Sequence, residues 1–282
     1  MKIIRTIEEI RDSTTKFKLK KASIGFVPTM GFLHSGHLEL IRQAKNLCDI
    51  VVVSVFVNPT QFNDTRDFDL YPQDEEGDIQ KCRNAKVDVY FSPKTTDVFP
   101  TSAIKMQFFL NPLDQELCGK FRPGHFSGVM WVLAKLFNWI NPDKVFMGKK
   151  DFQQFRIVQE FSNSLAFPIE VIGVETIREE NGVALSSRNA RLSAKAFEEV
   201  QLIPRMWQLA NKILQGGEKN RNAFLSILKD FLLTSPLITI EYLEVVDTNT
   251  LLPKEITGKF LVAVAIFCDG IRLIDNKEWN LS

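Results

Sequence analysis

Residues 25–45 read GFVPTMGFLHSGHLELIRQAK. An apolar run ending at Pro28 is followed by Gly31, which permits a tight turn, and then by apolar residues at helical spacing. This stretch predicts a buried strand that leads into a helix. It also holds His34 and His37, two of the three histidines in the chain.

The spacing of these histidines indicates an anion site. Residues three apart share one face of the first helical turn, where unpaired N–H groups and the helix dipole favour negative charge. We therefore expect both imidazoles to point towards a phosphate, with Gly36 letting the ligand approach the backbone. Two other interpretations stay open from the residues alone: imidazoles packed in the core, or a metal site with a further ligand from elsewhere.

Working outward, strand-like and helix-like stretches alternate through the first two thirds of the chain. Short runs rich in Val, Ile and Phe lack the alternation of a half-exposed strand and occupy residues 23–29, 49–57, 87–92, 143–148 and 169–175. Strands covered on both faces have this pattern, so the order predicts an α/β fold with a Rossmann-like parallel sheet. Ligands bind at the carboxyl ends of such strands.

The pattern changes near residue 180. Residues 193–215 and 220–233 predict two consecutive helices, and residues 237–247, 258–270 and 271–276 predict strands joined by turns. Helices followed by an antiparallel sheet are typical of a small α+β domain. We expect a Rossmann-like domain over residues 1–180 and a smaller α+β C-terminal domain over residues 181–282.

Composition favours a small-molecule substrate. Thirty-five Lys and Arg stand against 34 Asp and Glu in 282 residues, which leaves a net charge of +1 and gives no electrostatic reason to expect nucleic acid or a membrane as partner. The four cysteines form no C-x-x-C pair, which suits a reducing compartment. The N-terminus lacks a signal-peptide pattern, and no apolar run approaches the roughly 18 residues of a membrane span, so we expect a cytoplasmic protein.

Two further strand ends and one loop between the expected domains carry polar side chains. Asn58 and Gln61 in FVNPTQF are neutral amides suited to hydroxyl and carboxylate groups, although this stretch taken alone favours a plain turn. In VFMGKKDFQQ, Lys150 can reach a phosphate and Asp151 can accept from ribose, with Gln154 one turn further on; the alternative is a solvated lysine pair. In LSSRNARLS, the Arg188 guanidinium can clamp phosphates, whereas Ser193 is a helix N-cap.

Together these stretches resemble one known family. PTMGFLHSGHLELI is similar to the signature of the pantothenate synthetases, which belong to the nucleotidylyltransferase superfamily and carry an H-x-G-H motif at this position. FVNPTQF, RPGHFSGV, GKKDFQQ and TIREENGVALSSRNARLS match further family motifs in the same order. The resemblance implies an ATP-dependent ligase that joins pantoate to β-alanine through pantoyl adenylate.

The resemblance also implies residue roles. His37 takes the role of proton donor and acts with His34, Lys150 and Arg188. ATP is expected to bind three segments and one backbone site: Met30, Gly31, Phe32, Leu33, His34, Ser35, Gly36 and His37; Gly148, Lys149, Lys150 and Asp151; Leu185, Ser186, Ser187 and Arg188; and Ile177. Gln61 and Gln154 are expected to bind pantoate, with Gln61 near the β-alanine amine and Asn58 as a further substrate contact.

Some expectations concern the metal, the assembly and departures from the family. Asp78 occupies a position that can contact Mg²⁺, which ATP phosphates and water would mostly hold. Gln73 and Lys149 replace the usual Arg and Glu. The resemblance implies a homodimer. The position of Arg188 at the domain boundary predicts that its loop closes over ATP as a lid from the C-terminal domain. Two roles stay open for Arg122 and His125: contact with the triphosphate or second substrate, or a structured turn.

Two rival functions remain compatible with the sequence. One is another adenylyl or cytidylyl transferase of the H-x-G-H superfamily, with the same nucleotide residues and a different acceptor. The other is a nucleotide-binding regulatory protein that has lost turnover, with Lys149 and Gln73 as signs of drift. Retention of four residues speaks against the second: His34, His37, Lys150 and Arg188.

Overall fold

The computed structural model describes residues 1–100 and 106–281. The chain forms two compact units. Unit 1 comprises Met1–Leu110, Arg122–Lys149 and Gln154–Glu175, and unit 2 comprises Asn111–Phe121, Lys150–Gln153 and Thr176–Ser282. The expected domains, 1–180 and 181–282, stay a prediction, because a compact unit describes packing whereas a domain also implies folding or function of its own.

Unit 1 contains a six-stranded sheet in which every pair of neighbouring strands is parallel. The strand order is β1-β4-β3-β2-β5-β6. The strands are β1 (Lys2–Ile4), β2 (Ile24–Thr29), β3 (Ile50–Val55), β4 (Val89–Phe91), β5 (Lys144–Gly148) and β6 (Glu170–Val174). The predicted parallel α/β sheet is confirmed, and β1 is a strand that the prediction missed because it has three residues and only Ile4 is buried.

Helices separate the strands of this sheet. They are α1 (Ile7–Leu19), α2 (Ser35–Leu47), α3 (Thr65–Asp69), α4 (Glu75–Asn84), α5 (Thr95–Val98), α7 (His125–Ile140) and α8 (Phe152–Ser164), most of which lies in unit 1. The side chains of Phe26, Val27, Val52 and Phe146 are fully buried, as expected for strands covered on both faces.

The order of the strands marks where a ligand should bind. From β2 the chain proceeds to β3 on one side, and it later returns to pair β5 with the other side of β2. This reversal creates a crevice at the carboxyl ends of the strands, the usual ligand site of open α/β sheets. The turn after β2 leads to His34, and β5 ends at Gly148.

Unit 2 contains the predicted antiparallel sheet, with strand order β7-β8-β9. Its elements are α6 (Cys118–Phe121), α9 (Ala194–Glu199), α10 (Leu202–Gln215), α11 (Arg221–Leu232), β7 (Ile238–Val246), β8 (Gly258–Cys268) and β9 (Ile271–Leu281). Phe224, Leu228 and Phe260 form part of its core, each with no exposed surface.

One predicted helix of unit 2 is two helices. Residues 193–215 were expected to form a single helix, but α9 ends at Glu199 and α10 begins at Leu202. Pro204 has no N–H to donate to the carbonyl of Val200, and its ring would clash with that carbonyl in a continuous helix. The proline therefore starts a new helix.

Within residues 1–100 and 106–281, no helix combines the length and apolarity needed to cross a membrane.

Candidate active site

His34 and His37 form the start of α2 through their ring nitrogens. His34 is the N-cap, and its Nδ1 accepts the Gly36 N–H at 3.2 Å. The His37 Nδ1 accepts the His34 N–H at 3.3 Å, and the two ring centroids lie 4.1 Å apart. Since each Nδ1 is an acceptor, each neutral ring carries its hydrogen on Nε2.

This arrangement refines the expected anion site. Backbone N–H groups of the first turn were expected to face a phosphate directly, but those of His34 and Gly36 donate to the imidazoles. The rings replace them as donors, because the neutral tautomer carries an Nε2–H that can donate to an anion. The core and metal interpretations of these histidines fit less well, because both rings are partly exposed and both Nδ1 atoms accept backbone N–H groups.

Because Gly36 has no side chain, it leaves room for the His34 ring. A Cβ on residue 36 would lie 2.9 Å from His34 Cε1 and 3.0 Å from His34 Nδ1. Both separations are below ordinary van der Waals contact. The glycine of the H-x-G-H motif is therefore required by a neighbouring imidazole as well as by any approaching ligand.

The turn between β2 and α2 is held by Asp78 of α4. Its Oδ2 accepts the Phe32 N–H at 2.7 Å and its Oδ1 accepts the Leu33 N–H at 2.6 Å. The carboxyl group is 1% exposed, and burial raises its pKa, an effect that the two N–H bonds oppose. The amides of Phe32 and Leu33, expected to lie along ATP, are thus engaged within the protein.

A second turn of unit 1 presents Gln61 after β3. Asn58 is 1% exposed and donates to Gln61 Oε1 at 2.9 Å and to the Gly128 carbonyl at 3.1 Å. Its own Oδ1 accepts from the N–H and hydroxyl of Thr60 at 3.2 and 2.8 Å. The Gln61 Nε2 donates to Met30 Sδ at 3.2 Å, which brings together two predicted segments. Asn58, expected to contact substrate, has an amide that is occupied in orienting Gln61.

Arg122 and His125 support the same turn through its backbone. His125 Nδ1 donates to the Gln61 carbonyl at 2.7 Å, and Arg122 Nη2 donates to that oxygen at 3.2 Å. Arg122 Nη1 lies 3.2 Å from His125 Nε2, which must accept from the guanidinium. His125 therefore has the opposite tautomer to the other two histidines, and of the two roles left open the structured turn fits these contacts.

The substitution at Lys149 has an acidic partner. Lys149, just after β5, forms an ion pair with Glu175, just after the neighbouring strand β6. Apart from the two chain neighbours of Gly148, the described residues place no heavy atom within 4 Å of where its Cβ would lie, so this strand end is open. Two adjacent glutamines lie on α8. Gln153 is buried; it accepts the Cys118 N–H and donates to the carbonyls of Leu113 and Glu116. Gln154 is partly exposed.

Unit 2 carries the remaining predicted residues. Lys150 Nζ lies 3.9 Å from Asp151 Oδ1, and the Lys150 carbonyl accepts from Asn276 Nδ2 at 2.8 Å. Leu185 donates its N–H to the Ile177 carbonyl at 3.0 Å, so the predicted adenine contact and the predicted phosphate segment are neighbours across one hairpin. Ser186 caps the short 3-10 helix Ser187–Arg191 by accepting the Arg188 N–H at 3.3 Å.

The hairpin depends on two charged residues that sequence reasoning missed. Arg178 donates to both carboxylate oxygens of Asp275 at 2.7 and 3.0 Å and to the Gly182 carbonyl at 3.1 Å. Asp275 is 3% exposed and also accepts from Trp207 Nε1 at 2.8 Å. The available signal was an acid inside the predicted strand 271–276, since a buried carboxylate needs a partner.

A protein-held metal does not fit the described residues. Among residues 1–100 and 106–281, no group of three or more His, Cys, Asp or Glu side chains is placed to hold a metal ion. Asp78, the residue expected to contact Mg²⁺, uses both oxygens on backbone N–H groups. Mg²⁺ binds through several waters and carboxylates, which this buried group does not provide.

A parallel sheet whose second strand leads into a helix start with two imidazole donors defines an α/β protein of the class that binds ligands at the carboxyl ends of its strands. A sequence model described as pantoate-beta-alanine ligase matches residues 2–278. The chain belongs to the pantoate-beta-alanine ligase family.

Individual relatives agree over nearly the whole chain. A pantothenate synthetase from Leptospira biflexa is 45% identical over 278 residues, which cover 98% of each chain. The crystal structure of a pantothenate synthetase from Thermus thermophilus has a TM-score of 0.91 at 37% identity and covers 98% of this chain and 99% of its own. A pantoate-beta-alanine ligase from Francisella tularensis, complexed with beta-gamma ATP and β-alanine, has a TM-score of 0.79 at 31% identity and covers 98% of this chain and 97% of its own.

Proposed function

We propose that this chain catalyses the ATP-dependent condensation of pantoate with β-alanine to give pantothenate, AMP and diphosphate. The observation that carries the proposal is the match to the ligase family across residues 2–278, with the family's two histidines at the carboxyl end of a central parallel strand. The chain is therefore a carbon–nitrogen ligase of pantothenate biosynthesis.

In the first step, a carboxylate oxygen of pantoate forms a bond to the α-phosphorus of ATP. The bond from that phosphorus to the bridging oxygen breaks, and diphosphate leaves with the electron pair. Nucleotidyl transfer needs positioning and positive charge around the phosphates, with little covalent help from the protein. His34 and His37 donate hydrogen bonds to phosphate oxygens through Nε2–H, and Lys150 and Arg188 neutralise the phosphates. His37, expected to be the proton donor, keeps its proton in this step, because a neutral imidazole is too weak an acid to release it.

Substrate binding is divided among the predicted segments. ATP binds Met30–His37, Gly148–Asp151, the backbone of Ile177 and Leu185–Arg188. Gln61 and Gln154 bind pantoate. Support for Gln61 comes from its fixed orientation between Asn58 and Met30, since a preoriented amide loses little entropy when it binds. Asn58 contributes by holding Gln61.

In the second step, the deprotonated amine of β-alanine attacks the acyl carbon of pantoyl adenylate. The acyl–oxygen bond breaks, AMP leaves, and the amide forms with release of the second amine proton. Gln61 lies near the amine in this proposal. Mg²⁺ enters bound to ATP phosphates and water, and no step is assigned to a protein-held metal.

We further propose a homodimer located in the cytoplasm. Support for the location is chemical: all four cysteines are buried free thiols, which suits a reducing compartment. Gel filtration with light scattering measures the assembly, and a mass near 32.3 kDa, that of one chain, would contradict the dimer.

The test is diphosphate release from ATP and Mg²⁺ with pantoate, run with and without β-alanine, and mass spectrometry of the product. We expect AMP and pantothenate to form together only when both acids are present. His37→Asn keeps an acceptor for the His34 N–H but removes the Nε2–H donor, and it should abolish turnover. Asn46→Ala, an exposed change on the same helix, should not. ATP binding without pantoate-dependent diphosphate would refute the proposal and indicate a different acceptor.

A further inference from the structure

The Asp78 carboxylate is buried and hydrogen-bonded, unlike an acid on the protein surface. It lies on the first turn of α4, is 1% exposed, and accepts two consecutive backbone N–H groups at 2.7 and 2.6 Å. These N–H groups belong to Phe32 and Leu33, which are 46 and 45 residues away in the sequence. The contact therefore fixes the turn before α2 against a separate helix.

The turn needs such a contact because its backbone conformation is unfavourable. Gly31 and Phe32 both have positive φ, +85° and +52°. Phe32 is not a glycine, so its left-handed conformation carries a cost in strain and persists only where the surroundings hold it. Hydrogen bonds from N–H groups to a carboxylate are shorter and stronger than neutral ones, and they can offset this cost.

We propose that Asp78 is a positioning residue of the ligase reaction: through the Phe32 and Leu33 amides it holds the turn that places the imidazoles of His34 and His37. It is not a magnesium ligand in this chain. The inference rests on the proposed function, because it assigns Asp78 to the site that the two histidines define.

The two N–H groups that Asp78 accepts, those of Phe32 and Leu33, explain why this residue is an acid. Both partners of the side chain are donors, so both of its terminal atoms must be acceptors. An asparagine has one acceptor, and its NH₂ group would face a second N–H group and leave it unsatisfied. A buried, unsatisfied N–H group is costly, so the turn would relax. A longer acid would be overpacked at a site with 1% exposure.

The geometry also argues against a metal at this position. Mg²⁺ retains several waters and needs near-octahedral space around a carboxylate oxygen. Asp78 is buried, and neither Gly77 nor Lys81 supplies a carboxylate to share an ion. The two acids one turn before Asp78 have other partners: Asp74 Oδ1 accepts the Gly77 N–H at 2.9 Å, and Glu75 Oε1 accepts from Arg5 at 2.8 Å.

The experiment compares Asp78→Asn with Glu76→Gln. The control removes one negative charge from an exposed residue of the same helix. Diphosphate release is measured with ATP varied at saturating Mg²⁺ and with Mg²⁺ varied at saturating ATP, and hydrogen exchange of the peptide containing residues 31–34 is measured without nucleotide.

For Asp78→Asn we expect exchange in residues 31–34 to rise at least about 10-fold. We expect kcat/KM for ATP to fall about 100-fold, because misplacement by about 1 Å can cost that much. The Mg²⁺ concentration for half-maximal rate should stay within about 2-fold of wild type, and Glu76→Gln should match wild type throughout. A large rise in that Mg²⁺ concentration with activity restored at high Mg²⁺, or unchanged exchange, would overturn the proposal.

A second measurement uses the wild-type chain and tests for a metal held by the protein alone, even if Asp78→Asn fails to fold. Mn²⁺ is titrated into nucleotide-free protein and free Mn²⁺ is counted by electron paramagnetic resonance. We expect no binding at millimolar Mn²⁺, and stoichiometric binding that Asp78→Glu weakens would overturn the proposal. If the wild type fails to release diphosphate with pantoate, the proposed function fails. The exchange result still tests whether Asp78 holds the turn, and the Mn²⁺ result still tests whether it binds a metal.

Discussion

A methyl group on residue 36 would lie 2.9 Å from His34 Cε1 and 3.0 Å from His34 Nδ1. Gly36→Ala should therefore displace the His34 imidazole without removing any functional group. The displaced ring loses its 3.2 Å bond from the residue 36 N–H, and its Nε2–H donor moves away from where a phosphate would bind. The variant therefore tests how much activity depends on the position of the His34 Nε2–H donor.

The effects on stability and on catalysis should separate. Replacing Gly by Ala inside a helix raises the free energy of unfolding by up to about 1 kcal/mol, and loss of an N-cap hydrogen bond lowers it by about 1 kcal/mol. These nearly cancel, so Tm should stay within about 3 °C of wild type, since 1 kcal/mol shifts Tm by about 2–4 °C in a chain of this size. Loss of one preorganised donor where charge develops lowers kcat about 100-fold or more.

The assay is diphosphate release at saturating ATP, pantoate and β-alanine, with thermal unfolding of the same samples. Gly216→Ala is the matched control: Gly216 is a helix C-cap in unit 2 with its nearest heavy atom at 3.3 Å from the added Cβ, so kcat should be unchanged. A folded Gly36→Ala variant with kcat within about 2-fold of wild type would refute the reasoning that the position of the His34 ring carries activity.

Three further predictions concern substrate choice, a charge pair and pH. Gln154→Ala should raise KM for pantoate at least about 10-fold in steady-state assays, as expected when a hydrogen bond in a polar site is lost, and leave KM for ATP within about 2-fold; equal changes in both would contradict the pantoate assignment. Lys149→Glu should place two carboxylates together and lower the free energy of unfolding by about 0.5 kcal/mol in urea, with recovery in the double variant that adds Glu175→Lys; no recovery would argue against the pair. The pKa of Asp247 is lowered to about 2, mainly by the hydrogen bond from Lys254, so its stabilisation is present above the unfolded pKa of about 3.9 and is lost as pH falls towards 2. Asp247→Asn should therefore be less stable than wild type by up to about 1 kcal/mol at pH 7 in urea and by clearly less at pH 3; a constant difference would mean that the carboxylate charge is not responsible.

Local patterns predicted the elements because burial acts on a few neighbouring residues at a time. Runs such as residues 49–57 have apolar side chains on both faces, which only a covered strand can bury. Ser193 was expected to be an N-cap and does accept the Ala196 N–H at 3.2 Å. The two helices of residues 193–215 escaped prediction, although Pro204 marks the break, because the apolar pattern continues across it.

The sequence by itself determined the alternation of strands and helices and the motif with His34 and His37 at the start of one helix. Only the tertiary structure decided what holds that motif and the other turns in place. Asp78 meets Phe32 across 46 residues, His125 meets Gln61 across 64, and Arg178 meets Asp275 across 97. Each bond needs two atoms within about 3 Å of each other, a condition set by the packing of separate elements and absent from the local periodicity that predicts those elements.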